Sequence, residues 1–201
     1  MCMPRSRSAC ATTLLRACDE SALVQEPRLC GWLSKAVDPA VPLLWLDTST
    51  LPAAGDSRDH GSFHNACEAC ICAHVAAALV ARGVAAELVG ITSPYSRQIA
   101  RLSHEMAAFP ELAGASVMTI DKFQGQERAA MIISLVRSNA SGLTGALLAD
   151  FRRVNVALTR ARTKLIVVGN AATVAAVPTM AAARDGVDAL GVRIDLAAPE
   201  G

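Results

Sequence analysis

Aromatic side chains are scarce in this chain: one Tyr, two Trp and four Phe, 3% of 201 residues. That scarcity argues against a binding platform built from many stacked rings. Net charge is slight as well, at +1. Bulk attraction to a polyanion is excluded, so any contact with nucleic acid or nucleotide has to come from local clusters. No apolar run reaches the length of a membrane span. The richest, Ala69 to Ala81, contains His74, is followed by Arg82, and reads as a buried helix. What is present is apolar: 52% hydrophobic against 18% charged, which excludes general disorder. The length suits one domain with a substantial core, or one domain plus a tail.

Seven cysteines all fall early: Cys2, Cys10, Cys18, Cys30, Cys67, Cys70 and Cys72. The number is odd and no secretory signal precedes them, which reads as free thiols in a reducing compartment, nucleus or cytoplasm. Cys67-Glu-Ala-Cys70, with His64 and His74 nearby, could form half a zinc site. No second Cys-x-x-Cys completes it, and Glu68, Ile71, Val75 and Leu79 give the stretch helical character. Small buried cysteines on a helix are ordinary, so no metal site is expected. Arg5, Arg7 and Arg16 among serines resemble a transit peptide only weakly; a frayed start fits better.

Residues 1–40 show little periodicity and are punctuated by Pro4, Pro27 and Pro39. Val41 to Asp47 reads as a first strand, and the Gly-, Asp-, Ser- and Pro-rich stretch from Leu51 to Gly61 as a loop. Asn65 can cap a helix running to about Arg82, with Gly83 where a C-terminal cap belongs. Further strands are expected at Glu87–Thr92, Ser116–Ile120, Met131–Val136 and Lys164–Gly169, with a helix from Ser96 to about Ala108. An alanine-rich helix runs from Asn170 to about Arg184, broken near Pro178. Residues 185–201 read as a loosely ordered tail. Short apolar runs alternating with helices predict an α/β fold, an open and mainly parallel sheet with helices on both faces. Ligands of such sheets sit beyond the carboxyl ends of the strands. Ser93-Pro94-Tyr95, Asp121 to Glu127 and Arg137-Ser-Asn139 all follow strands.

Two segments carry chemistry. From Asp150 to Arg162 lie four arginines, Arg152, Arg153, Arg160 and Arg162. Arginine stays charged, and its planar fork matches phosphate oxygens in pairs. On a helix Val154, Leu158 and Ala161 share an apolar face, Arg153 and Arg160 a second, Asn155 and Arg162 a third. A solvated arginine-rich helix is the plain alternative. Thr119-Ile-Asp-Lys-Phe-Gln-Gly-Gln-Glu127 is a polar turn after a strand. Gly125 permits backbone that other residues resist, and Glu127 can accept from two adjacent hydroxyls such as those of a ribose.

Together these strings resemble motifs V and VI of superfamily 1 helicases: Thr119 to Glu127, then Val136-Arg-Ser-Asn139, then Arg152 to Arg162. Ile91 to Gln98 resembles motif IV of the branch that holds the nonsense-mediated-decay helicase, the senataxin-like helicases and the flap-processing nuclease-helicase. Gly145-Ala-Leu-Leu-Ala-Asp150 resembles the nuclease-helicase most. The resemblance covers roughly residues 41–170 and implies a RecA-like lobe of the P-loop NTPase class. It implies that Arg160 contacts the γ-phosphate of ATP, that Glu127 holds the ribose, and that Gln124 and Gly125 shape the turn. Arg153 and Asn155 would support the site or couple it to the nucleic-acid groove. Thr119 would touch the nucleic-acid backbone, with Tyr95 and Asn155 as further nucleic-acid contacts, and Tyr95 and Gln98 belong to motif IV.

The family's Walker loop needs Gly-Lys-Ser/Thr, yet Lys35, Lys122 and Lys164 follow Ser, Asp and Thr. No Asp-Glu pair follows an apolar strand to hold magnesium. The expectation is therefore a second lobe, residues 41–184, working with a first lobe supplied in cis or in trans. ATP with Mg2+ would bind between the lobes, the metal held mainly by the other one. Single-stranded nucleic acid, DNA before RNA, would be moved 5′ to 3′, and no membrane is involved. The isolated chain is expected to be inactive. A non-catalytic interaction module retaining this fold, and a zinc scaffold around Cys67 and Cys70, are the competing readings.

Overall fold

The computed structural model describes residues 31–196, apart from the side chain of Phe151. Expectations that fall on residues 1–30 and 197–201 lie outside the described residues. Six strands form one wholly parallel sheet: β1 (Leu43–Asp47), β4 (Val89–Ser93), β5 (Ser116–Thr119), β6 (Arg128–Ser134), β7 (Ala161–Gly169) and β8 (Val192–Asp195). Their order is β5-β4-β6-β7-β1-β8. Leu43 of β1 stands in register with Leu165 of β7, and Asp47 with Gly169. The central strands are nearly continuous apolar runs because both their faces are covered.

Side chains alternate across the pleat and feed two cores. Leu44, Leu46, Ile91, Ile132, Ile166 and Val168 face one layer, built from α1 (Gly31–Val37), α2 (Ala66–Ala81) and α3 (Ser96–Met106). Trp45, Ile133 and Val167 face the other, built from α4 (Ala146–Ala149), α5 (Phe151–Leu158), α6 (Ala171–Val174) and α7 (Pro178–Leu190). Trp45 is fully buried, and its indole Nε1 donates to the carbonyl of Gly169 at 3.0 Å. That bond satisfies the one polar atom of the largest side chain in the core. No helix among the described residues is long and apolar enough to cross a membrane.

The structure departs from the sequence expectations in several places. Residues 185–196 are not a loose tail: α7 continues to Leu190, and β8 then adds a sixth strand beside β1. Its length and alternating burial made it faint in sequence. The stretch from Leu51 to Gly61 contains β2 (Ser57–Asp59), which pairs antiparallel with β3 (Ser62–His64). The arginine helix ends early, at Leu158, so Arg160 and Arg162 do not continue its faces. Thr159 caps it, its Oγ1 donating to the Asn155 carbonyl at 2.8 Å, and the chain then enters β7. The β-branched residues from Thr163 to Val168 favour the strand, which pairs with β6 from Arg128 onward.

Candidate functional site

The two sequence segments meet at the amino-terminal edge of the sheet. Register places Arg128 of β6 opposite Ala161 of β7. One residue earlier, the Arg128 N–H donates to the Arg160 carbonyl at 3.1 Å. Across the same seam Arg162 Nε donates to Glu127 Oε2 at 2.9 Å. Both side chains of that pair are largely exposed, so it holds the rim loosely. Arg160 is half-buried. Its Nε donates to the Val156 carbonyl at 3.1 Å and its Nη2 to Thr159 Oγ1 at 3.2 Å. Among the described residues no carboxylate pairs with it. Those two bonds fix the guanidinium while leaving donors for a further acceptor.

Beside this seam a small pocket of about 110 Å³ is lined by Ile120, Asp121, Gln124, Arg152, Arg153 and Val156. Arg153 Nε lies 3.3 Å from Asp121 and 3.7 Å from Asp150, and Asp150 also caps α5 through the Arg152 N–H. Gly125 has φ +78°, in the left-handed region. A Cβ there would meet nothing within 4 Å, so its requirement is conformational rather than steric.

This edge is not the one the strand order suggested. The segment from Asp121 to Glu127 follows β5, but a 3-10 turn over Ile120–Phe123 turns the chain back along the sheet. Phe123 is fully buried, and its ring tip would lie 2.8 Å from a Cβ at Gly90, so glycine is what lets the turn tuck under. Glu127 consequently precedes β6 instead of capping β5. Thr119, half-buried at the end of β5 opposite Ser93, marks the other edge. Asn155 is exposed on α5.

The carboxyl edge gathers a second set of polar groups: Arg137, Ser138, Asn139 and Tyr95, which the sequence singled out, and Asp56, which it did not. Arg137 is buried and donates from Nε to Asp56 Oδ2 at 2.8 Å; its guanidinium lies 3.9 Å from the centre of the Phe63 ring. Asp56 Oδ2 also accepts from the Ser138 N–H at 2.9 Å and Asn139 Nδ2 at 3.0 Å. Burial alone would raise the Asp56 carboxyl, but the bonds from Asn139, Arg137 and Ser138 outweigh it and hold it low. Tyr95 does not fit an expectation of direct contact with nucleic acid. It is 4% exposed, packs edge-on against Phe63 and donates from its hydroxyl to the Thr144 carbonyl at 3.1 Å. Burial raises its phenol, opposed by Arg137.

The AAA domain family matches residues 10–172. The chain belongs to this family, within the superfamily 1 helicases. It is 32% identical over 169 residues to the DNA replication ATP-dependent helicase/nuclease DNA2 of Mus musculus, covering 84% of this chain and 16% of that protein. It is 36% identical over 151 residues to the corresponding enzyme JHS1 of Arabidopsis thaliana, covering 74% and 11%. With dna2 of Schizosaccharomyces pombe the identity is 32% over 142 residues, covering 71% and 10%. The chain therefore spans about a sixth or less of the length of these relatives.

Three cysteines, Cys67, Cys70 and Cys72, fall among the described residues. Cys70 and Cys72 are free and buried, but Cys67 is disulfide-bonded, which corrects the expectation of free thiols there. Burial pushes the Cys70 thiol up to about 12 and raises Cys72 well above its usual range. Cys70 Sγ meets His74 Nδ1 at 3.6 Å, and the same nitrogen lies 2.8 Å from the Cys70 carbonyl. Among the described residues no group of three or more His, Cys, Asp or Glu is placed to hold a metal ion. The described residues therefore offer no such set for zinc around Cys67 and Cys70, and none for magnesium.

Proposed function

We propose that this chain is the second RecA-like lobe of an ATP-dependent nucleic-acid helicase. It would contribute one wall of an ATP site whose other wall belongs to a first lobe. Arg160 would meet the γ-phosphate and Glu127 the ribose, with Gln124, Gly125 and Arg153 around them. The observation that supports this is the seam itself: the Arg128–Arg160 backbone bond and the Glu127–Arg162 pair bring both motifs to one rim.

The residues fit a nucleotide on chemical grounds. An arginine fixed by two bonds, with donors left over and no carboxylate partner among the described residues, suits a phosphate. The Glu127 carboxylate has acceptor capacity beyond the single bond from Arg162. ATP bound here supplies the phosphoryl group whose transfer drives the motor. Arg160 would then stabilise charge as it develops on that group, already oriented by Val156 and Thr159. Closure of the two lobes on the γ-phosphate is the two-state movement that would advance a single strand held at the carboxyl edge. Contact with that strand would be mostly to its backbone, with DNA favoured because the relatives are DNA replication enzymes. Work on replicating DNA would place the parent enzyme in the nucleus.

The test joins this chain in frame behind a Walker-bearing first lobe from a relative. ATP turnover stimulated by single-stranded DNA should appear in the fusion, vanish with Arg160→Ala, and be absent from the 201 residues alone. Turnover by the isolated chain, or a fusion indifferent to Arg160→Ala, defeats the reading.

A further inference from the structure

Arg128 opens β6 directly after Glu127, and its side chain has no part in the ATP site proposed above. That side chain runs across the sheet. From β6 it passes over Gly90 of β4, the neighbouring strand, and its Nη2 donates to Ser116 Oγ of β5 at 2.9 Å. Gly90 leaves the path open, since a Cβ there would meet Arg128 Cγ at 3.0 Å. The same Nη2 donates to Gln126 Oε1 at 3.1 Å, and Gln126 Nε2 reaches back to the Lys122 carbonyl at 3.4 Å. Nη1 donates to the Glu127 carbonyl at 2.9 Å, and the guanidinium lies 5.7 Å from the centre of the Phe123 ring. Nε is buried without a partner among the described residues, so the terminal nitrogens carry the bonding of this side chain. Their acceptors are uncharged, and the arginine acts here as a fork of donors rather than as half of an ion pair.

The peptide unit between Glu127 and Arg128 is thereby held at both ends. Its carbonyl accepts from Arg128 Nη1, and its N–H donates to the Arg160 carbonyl at 3.1 Å. The unit is planar, so two bonds at opposite ends set its orientation. The direction in which the Glu127 side chain leaves the backbone depends on the two peptide planes that meet at its Cα. Arg128 holds the second directly and the first through Gln126. The strand ladder gives little help, because the register of β6 against β7 slips between Arg128 and Ala130. The Glu127–Arg162 pair gives little either, being largely exposed.

We propose that Arg128 is a positioning residue for Glu127: by gripping the peptide unit behind it, Arg128 aims the carboxylate at the sugar hydroxyls of a bound nucleotide. The proposal rests on the reading of Glu127 as the ribose contact. The Arg160 guanidinium is oriented by its own bonds to Val156 and Thr159. Loss of the Arg128 fork should therefore loosen the sugar end of the site and leave the phosphate end in place.

The test uses the first-lobe fusion and compares ATP with 2′,3′-dideoxy-ATP, which lacks both hydroxyls. Arg128→Met keeps an unbranched stem over Gly90 and removes every donor. KM for ATP should rise about tenfold, the scale of a weakened hydrogen bond to a charged group. With the phosphate end intact, kcat should stay within about twofold. The preference for ATP over the dideoxy nucleotide should fall towards one. Arg128→Lys, with a single charged head in place of the fork, should lie between the two proteins, and it decides the question by the same ratio if the methionine variant does not fold. A merely structural Arg128 would lower melting temperature and active fraction while KM and the preference stayed at wild type, and that result overturns the proposal. Glu127→Ala separates the two readings. If it abolishes the preference while Arg128→Met keeps it, only the positioning role falls. A wild-type fusion without any preference, or a Glu127→Ala fusion that retains it, defeats the ribose reading and the positioning role with it.

Discussion

The main-chain N–H of Arg128 and the main-chain carbonyl of Arg160 are hydrogen-bonded at 3.1 Å, so the turn after β5 and the end of α5 share one seam. The Arg160 guanidinium then projects from a backbone position fixed independently of its own side chain. Arg160→Ala should therefore leave the fold intact. Melting temperature should match wild type. In the assembled motor kcat should fall about a thousandfold, the scale of a lost arginine finger, with ATP binding little changed. Equal losses of stability and activity would assign Arg160 to the scaffold.

Gly125 tests the turn beside it. Its φ of +78° carries the strain for any side chain, while the space around it is open. Gly125→Ala should destabilise the chain by about 1–2 kcal/mol in urea melts. Gly125→Asn, which tolerates the left-handed region, should lose less. Identical losses would show that space and not conformation set the requirement.

The two ion pairs at opposite edges should behave differently. Arg137 and Asp56 are nearly buried, at 8% and 11% side-chain exposure, whereas Arg162 and Glu127 stand at 69% and 46%. Arg137→Ala leaves the Asp56 carboxylate uncompensated and should cost about 3–5 kcal/mol. Arg162→Ala should cost about 0–1 kcal/mol. Chemical denaturation of both variants decides whether burial governs the ranking.

Glu68 makes stability depend on pH. Burial raises its carboxyl from 4.5 to about 8, opposed by the bonds from Ser134 and Val136 and reinforced by the charge of Asp56. Cys72 on its own helix also faces it, and the Asp56 charge is itself paired with Arg137. A folded-state value above the unfolded one means the folded chain binds the extra proton between these limits. The stabilisation is complete below about pH 4.5 and is lost as pH rises through 8. Stability should fall by at most about 1.4 kcal/mol per pH unit across that window, and Glu68→Gln should remove this component. Urea midpoints from pH 5 to 9 for both proteins would show it; parallel curves would refute it.

The sequence by itself determined the class of fold and pointed to the residues that meet at the rim. Apolar runs such as Leu165–Val168 are too hydrophobic for an exposed strand and had to lie in a covered parallel sheet. Gly125, Glu127 and the arginines were legible because local pattern carries them. Which edge they occupy was decided only by tertiary structure. The turn over Ile120–Phe123 tucks Phe123 beneath Gly90 and brings Glu127 to the start of β6, a relation between residues some thirty apart. The end of α5 was set the same way: helical spacing ran on through Arg162, but pairing with β6 drew Arg160 and Arg162 out of the helix. Glu68 read as an ordinary helical residue, and Tyr95 as a candidate contact. Burial reversed both, because long-range packing decides which polar groups keep access to water.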